Sequence, residues 1–164
     1  MSTPPNAAPH ASHAPFSLAL RVYWEDTDAG GVVFYANYLR FFERARTEWL
    51  RHLGTGQQAL RESTGALFVV SETRVRYLAP ARLDDELQVD VRLLRAGSAS
   101  MTVAQQARRG DLLLADGEIR IACVDEGTFR PRRIPNQVLA TLPSIAPVAR
   151  RLPDTAPPTP TGTP

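Results

Sequence analysis

Residues 21–49, RVYWEDTDAGGVVFYANYLRFFERARTEW, place an acidic loop, a glycine pair and an amphipathic helix one after another. The helical half decides the fold. From Asn37, a residue suited to capping a helix start, Tyr38, Phe41, Phe42, Ala45, Trp49 and Leu53 recur at three- and four-residue spacing, while Arg40, Glu43, Arg44, Glu48 and Arg51 fill the other side. A stripe this aromatic needs a broad apolar surface to lie on. Gly54 marks its end.

The surface is supplied on both sides of the stretch. Upstream, Leu18, Leu20, Val22 and Trp24 alternate with Ala19, Arg21, Tyr23 and Glu25, the period-two pattern of a half-buried strand. Downstream, a short helical or irregular piece at 57–63 gives way to period two for the rest of the domain. Leu67, Val69, Val75 and Tyr77 mark a second strand ending before Pro80, and Leu87, Val89, Val91 and Leu93 a third. Gly97 and Ser98 turn into a fourth strand carrying Met101 and Val103, and Gly110 and Asp111 turn into a fifth, from Leu112 to Val124, where Gly117 suggests a bulge. A short helix is expected at 136–142, before Pro143. One strand, one long helix and four strands joined by tight turns predict an α+β fold. Its antiparallel sheet of about five strands wraps around one central helix, the arrangement called a hotdog fold.

With 164 residues, 43% hydrophobic and 22% charged, the chain has room for one domain with a core. Apart from Pro80, Pro131 and Pro135, its prolines lie before residue 16 or after residue 142. Residues 1–15 and 146–164 are accordingly expected to be disordered tails flanking a folded 16–145. The amino-terminal segment lacks the charge and apolar run of a secretory signal, and no run approaches the ~18 apolar residues of a membrane span. Cys123 is the only cysteine, which excludes an intrachain disulfide and makes the cytoplasm the default location. A net charge of +2 is too small for a nucleic-acid footprint, although local arginine clusters suit a phosphorylated small molecule.

Asp26 and Asp28 carry the strongest chemical signal. Asp-X-Asp in a loop is commonly turn or capping chemistry. A calcium loop would place Gly31 sixth but needs a bidentate Glu where Asn37 stands. An aspartyl phosphatase needs a parallel sheet, and no Gly-X-Ser-X-Gly elbow exists. His10, His13 and His52 are too scattered for a metal shell, so neither metal nor cofactor is expected. What remains is hydrolysis of an acyl thioester, with a carboxylate acting on water or on the carbonyl and helix-start N–H groups stabilising the oxyanion.

Arg21-Val22, Thr27-Asp28, Gly31-Val32-Val33, Ala36 and Tyr38 together resemble the signature of the hydroxybenzoyl-CoA thioesterase family, a hotdog family. The run ERARTEWLR, Glu43 to Arg51, and the stretch from Arg130 to Pro135 resemble its Tol-Pal-associated acyl-CoA thioesterase branch. The resemblance implies that Asp28 is catalytic and that the Tyr35 backbone N–H polarises the thioester carbonyl, with Gly31 and Val33 lining the same site. It also implies an acyl-CoA substrate with a short-chain or aromatic acyl group, or an acyl carrier protein as donor. The site would lie between subunits of a homodimer or homotetramer. Members of that branch usually have histidine where this chain has Tyr35. Asp26 and Glu25 are read as neighbours, and Glu43 and Glu48 as ion-paired surface groups that stay minor alternatives. Arg95, beside the Gly97 turn, and Arg132 and Arg133 are candidates for the CoA phosphates. The rival readings are a hotdog hydratase, which needs a histidine near the loop, and a non-catalytic module that binds acyl-CoA or acyl carrier protein.

Overall fold

The computed structural model describes residues 15–145, and the expected tails lie, apart from Pro15, outside the described residues. In chain order the elements are β1 (Phe16–Arg21), one 3-10 turn (Trp24–Asp26), α1 (Asn37–His52), α2 (Gln57–Thr64), β2 (Ala66–Tyr77), β3 (Glu86–Ala96), β4 (Ser100–Arg109), β5 (Leu112–Asp125) and a short α3 (Asn136–Leu139). The five strands form one antiparallel sheet in the order β1-β3-β4-β5-β2. This is the expected α+β hotdog arrangement.

The helix buries the face that its spacing foretold: Tyr38, Phe41, Phe42, Ala45 and Trp49, joined by Leu50. It lies across β1, β3 and β4, whose inward residues Leu87, Val89, Val91, Met101 and Val103 are buried against it. Removing rings such as Phe41 and Phe42 from water contributes about 2–3 kcal/mol each. Differences in helix propensity are worth a few tenths per residue. Packing therefore holds α1 in place, and β2, at the edge of the sheet, joins this core through Phe68 and Val75.

Three local expectations change. The first strand stops at Arg21, not Trp24, because the Asp26 carboxylate takes the Tyr23 N–H at 2.8 Å and turns the chain into the 3-10 turn. Asn37 is the first residue of α1 and not its cap: its amide reaches back to the Glu25 carbonyl and to Asp26 Oδ1, 3.4 Å each. Gly117 marks no bulge, for it stays in register with Val75 and Gln105, and the irregularities fall at Val70/Glu72 and Ala107/Arg108. A Cβ at Gly117 would stand 3.0 Å from Phe42 Cε2 and 3.2 Å from the Arg74 carbonyl. Glycine is there to admit the helix ring.

A polar side chain reaches the middle of this core. Gln105 is wholly buried; its Nε2 donates to the Phe42 carbonyl at 2.9 Å and its Oε1 accepts from Arg46 Nη1 at 2.7 Å. Both ends are satisfied, as burial demands.

Candidate active site

The acidic loop is a hairpin folded back on itself. Thr27 bridges Val33, the Phe34 N–H donates to the Asp26 carbonyl at 2.8 Å, and the Asp28 N–H to the Val32 carbonyl at 2.9 Å. The Val33 N–H donates to the Ala81 carbonyl at 2.9 Å, which anchors the hairpin to the connection between β2 and β3. At the tip Gly31 adopts φ +71, a left-handed conformation that glycine takes without strain.

The two aspartates have different surroundings. Asp26 is 2% exposed, and Tyr23 and Asn37 supply donors to its two oxygens. Asp28 is exposed. Its Oδ1 accepts the Gly30 N–H at 2.8 Å, and its Oδ2 takes no hydrogen bond among the described residues. Gly30 permits that approach, since a Cβ there would stand 3.1 Å from Asp28 Oδ1. The turn chemistry common for Asp-X-Asp thus occupies one carboxylate oxygen and leaves the other open.

Most N–H groups between loop and helix are already used. Gly31 donates to the Asp28 carbonyl at 3.0 Å, Val33 to Ala81, Phe34 to Asp26, and Asn37 to the Phe34 carbonyl at 2.8 Å. No acceptor among the described residues takes the N–H of Tyr35 or Ala36. Gly31 and Val33 therefore shape the loop while their donors are spent, and Tyr35 keeps a donor at the helix start, where the dipole favours negative charge. The Tyr35 side chain is exposed and lies edge-on to Tyr77 with centroids 6.1 Å apart; Tyr38 lies 5.6 Å from the same ring. Burial raises the phenols of Tyr38 and Tyr77, so both stay protonated at neutral pH.

The arginines proposed for phosphates stand elsewhere. Arg95 is near the end of β3 and pairs with Glu118 at 3.7 Å. Arg132 donates to the Thr64 carbonyl at 2.8 Å, and Arg133 is exposed beside it in sequence. The hairpin packs near the start of β3, so Arg95 is about 30 Å away along that strand at ~3.3 Å per residue. Glu48 pairs with Arg51, and Glu43 accepts the Thr47 hydroxyl at 2.7 Å; neither joins the hairpin. Cys123 is buried in the sheet, and burial pushes its thiol up. Among the described residues no group of three metal-ligating side chains forms, and no helix is long and apolar enough to cross a membrane.

Sequence reasoning missed the Asn37 latch onto Asp26 and the pairing of Gln105 with Arg46. Asn37 carried a signal, its place at the loop-to-helix junction, but that signal also fits a cap. Gln105 was visible as a polar residue on the inward register of β4, between Val103 and Ala107.

The model of the thioesterase-like superfamily matches residues 22–142. The acyl-CoA thioesterase YbgC of Haemophilus influenzae is 45% identical over 125 residues, covering 76% of this chain and 92% of that protein. The crystal structure of a probable thioesterase from Bartonella henselae superposes with a TM-score of 0.70 at 34% identity, covering 74% of this chain and 100% of that one. A hypothetical protein from Aquifex aeolicus gives a TM-score of 0.74 at 29% identity, covering 79% of this chain and 100% of its own. With the family model spanning most of the folded chain, this protein belongs to the thioesterase-like superfamily.

Proposed function

We propose that this protein is an acyl-CoA thioesterase, hydrolysing a short-chain or aromatic acyl thioester to the free acid and CoA. The observation that carries the reading is the pairing, on one hairpin, of an exposed carboxylate with a free oxygen and a helix-start N–H with no internal acceptor. Asp28 takes a proton from water, the hydroxide attacks the thioester carbonyl, and the oxyanion is held by the Tyr35 N–H. The tetrahedral intermediate collapses with the C–S bond breaking and CoA leaving as thiolate. If the carboxylate attacks directly, the C–S bond breaks, CoA leaves as thiolate and a mixed anhydride forms, which water then cleaves to the free acid and the restored Asp28 carboxylate, with the same donor in place.

A homodimer or homotetramer with the site at the subunit boundary fits the exposed surface. β2 is a twelve-residue edge strand, and Tyr77, Leu78, Val70 and Tyr35 beside it are all more than two-fifths exposed. A long edge with apolar side chains favours pairing with a second copy. Arg95, Arg132 and Arg133 serve CoA phosphates in this reading only across such a boundary, given their distance from the hairpin. An acyl carrier protein is the other donor to be tried, and the unpaired Cys123 supports a cytoplasmic setting.

Free-thiol release from a panel of acyl-CoA and acyl-carrier thioesters, with wild type and Asp28→Asn, tests the proposal. Release by wild type and its near loss in the variant are expected. Equal rates for the two proteins would remove Asp28 from the mechanism.

A further inference from the structure

A groove of about 600 Å³ runs between the solvent-facing side of α1 and β2. That volume suits a small ligand. Leu39, Val70 and Ile119 give it apolar walls. One end is lined by Leu39, about one helical turn along from Tyr35. Thr73 and Val70 carry the wall along β2.

Arg46 lines this groove and is set apart from the surface arginines. It is the inward-leaning charge of α1, partly buried, and burial lowers its affinity for the proton. No carboxylate among the described residues lies within salt-bridge distance, and Glu43 is the one acidic group whose charge it feels. One of its N–H groups donates to Gln105 Oε1 at 2.7 Å, and its other donors take no acceptor among the described residues. Gln105 is itself fixed by the Phe42 carbonyl. The guanidinium head therefore sits near the level of Phe42, about 8 Å along the helix axis from Asn37.

A guanidinium drawn out of water without an anion is costly, and a fork of unused donors matches a carboxylate. Arg40 and Arg44 add positive charge to the groove against the single Glu43, whose carboxylate is engaged by Thr47. We propose that Arg46, positioned by Gln105, is a specificity-determining residue that selects short acyl thioesters ending in a carboxylate. The inference rests on the thioesterase reading: the thioester carbonyl lies at Tyr35, the acyl chain follows the groove, and its far end meets Arg46.

The test uses the full-length protein and matched pairs of short acyl-CoAs, identical in length, one ending in a methyl group and one in a carboxylate. Thiol release gives kcat/KM for each member. Wild type should favour the carboxylate member by about tenfold, the worth of one charge-assisted bond. Gln105→Glu keeps the shape of the side chain and puts an internal carboxylate on Arg46, so the ratio should fall to about one. Arg46→Met should do the same, and Arg46→Lys should keep part of the preference. Equal kcat/KM for the two members in wild type overturns the proposal, as does an undiminished ratio in Gln105→Glu. If Arg46→Met leaves the ratio intact and instead dissociates the assembly in sedimentation, the guanidinium serves a second copy and the acyl assignment is wrong. No release from any thioester would overturn the thioesterase reading itself, and this inference with it.

Discussion

Asp26 and Asp28 are two residues apart in one hairpin and face opposite fates. Asp26 points inward, is 2% exposed and has a donor on each oxygen. Asp28 points outward, shares one oxygen with Gly30 and keeps the other open. A carboxylate whose acceptor sites are filled by fixed donors is part of the scaffold, because attacking a proton or carbon would first break those bonds. One with an open oxygen beside an unused N–H can do chemistry. Occupancy by hydrogen bonds separates the roles where residue type cannot.

The contrast can be broken by exchanging what each mutation damages. Asp28→Asn should lower kcat by about 10²–10⁴-fold and move stability by no more than ~0.5 kcal/mol. Steady-state thiol release and urea unfolding measure the two sides, and a variant that releases thiol at the wild-type rate per folded molecule would erase the contrast. Asp26→Ala strands the Tyr23 N–H and the Asn37 amide, and should cost about 2–3 kcal/mol of stability. A normal urea midpoint for Asp26→Ala would place its role outside the scaffold.

Asn37→Ala sharpens the comparison, since Asn37 joins Asp26 to the helix start that presents the Tyr35 donor. About 1 kcal/mol of stability should go, with kcat falling more than KM rises; a KM effect alone would show that the latch serves binding only. The smallest effect is expected at Asp125, a half-buried aspartate whose loop crowds three donors onto its Oδ1. Thr128 donates through its N–H at 3.0 Å and its hydroxyl at 3.1 Å, and Gly127 through its N–H at 3.2 Å. The Thr128 N–H, first among these, holds the Asp125 carboxyl below its ordinary value. A carboxyl depressed in the folded state adds stability above its unfolded pKa, and that contribution disappears as pH falls through the folded one. Asp125→Ala should therefore flatten the acid side of a stability–pH curve slightly, and an unchanged curve would show that its donors are satisfied by water.

Much of this was legible in order of residues. The stripe of α1 and the alternation of β3 and β5 are local periodicities, readable without knowing what the face meets. The hairpin glycines are local too, because a left-handed Gly31 is a property of the turn. The loop-to-helix segment that carries Asp28 was therefore legible.

What the sequence alone determined is the set of elements, their antiparallel connection and one loop with chemical capacity, because period and turn chemistry act over neighbouring residues. Tertiary structure decided the rest. Gly117 is needed for Phe42, Gln105 binds Arg46 and the Phe42 carbonyl, and Ala81 takes the Val33 N–H, while the Tyr35 N–H meets no acceptor among the described residues. Each is a contact between residues far apart in the chain. Which donors are spent and which carboxylate is buried depend on those contacts, since hydrogen-bond satisfaction is settled only when distant segments meet.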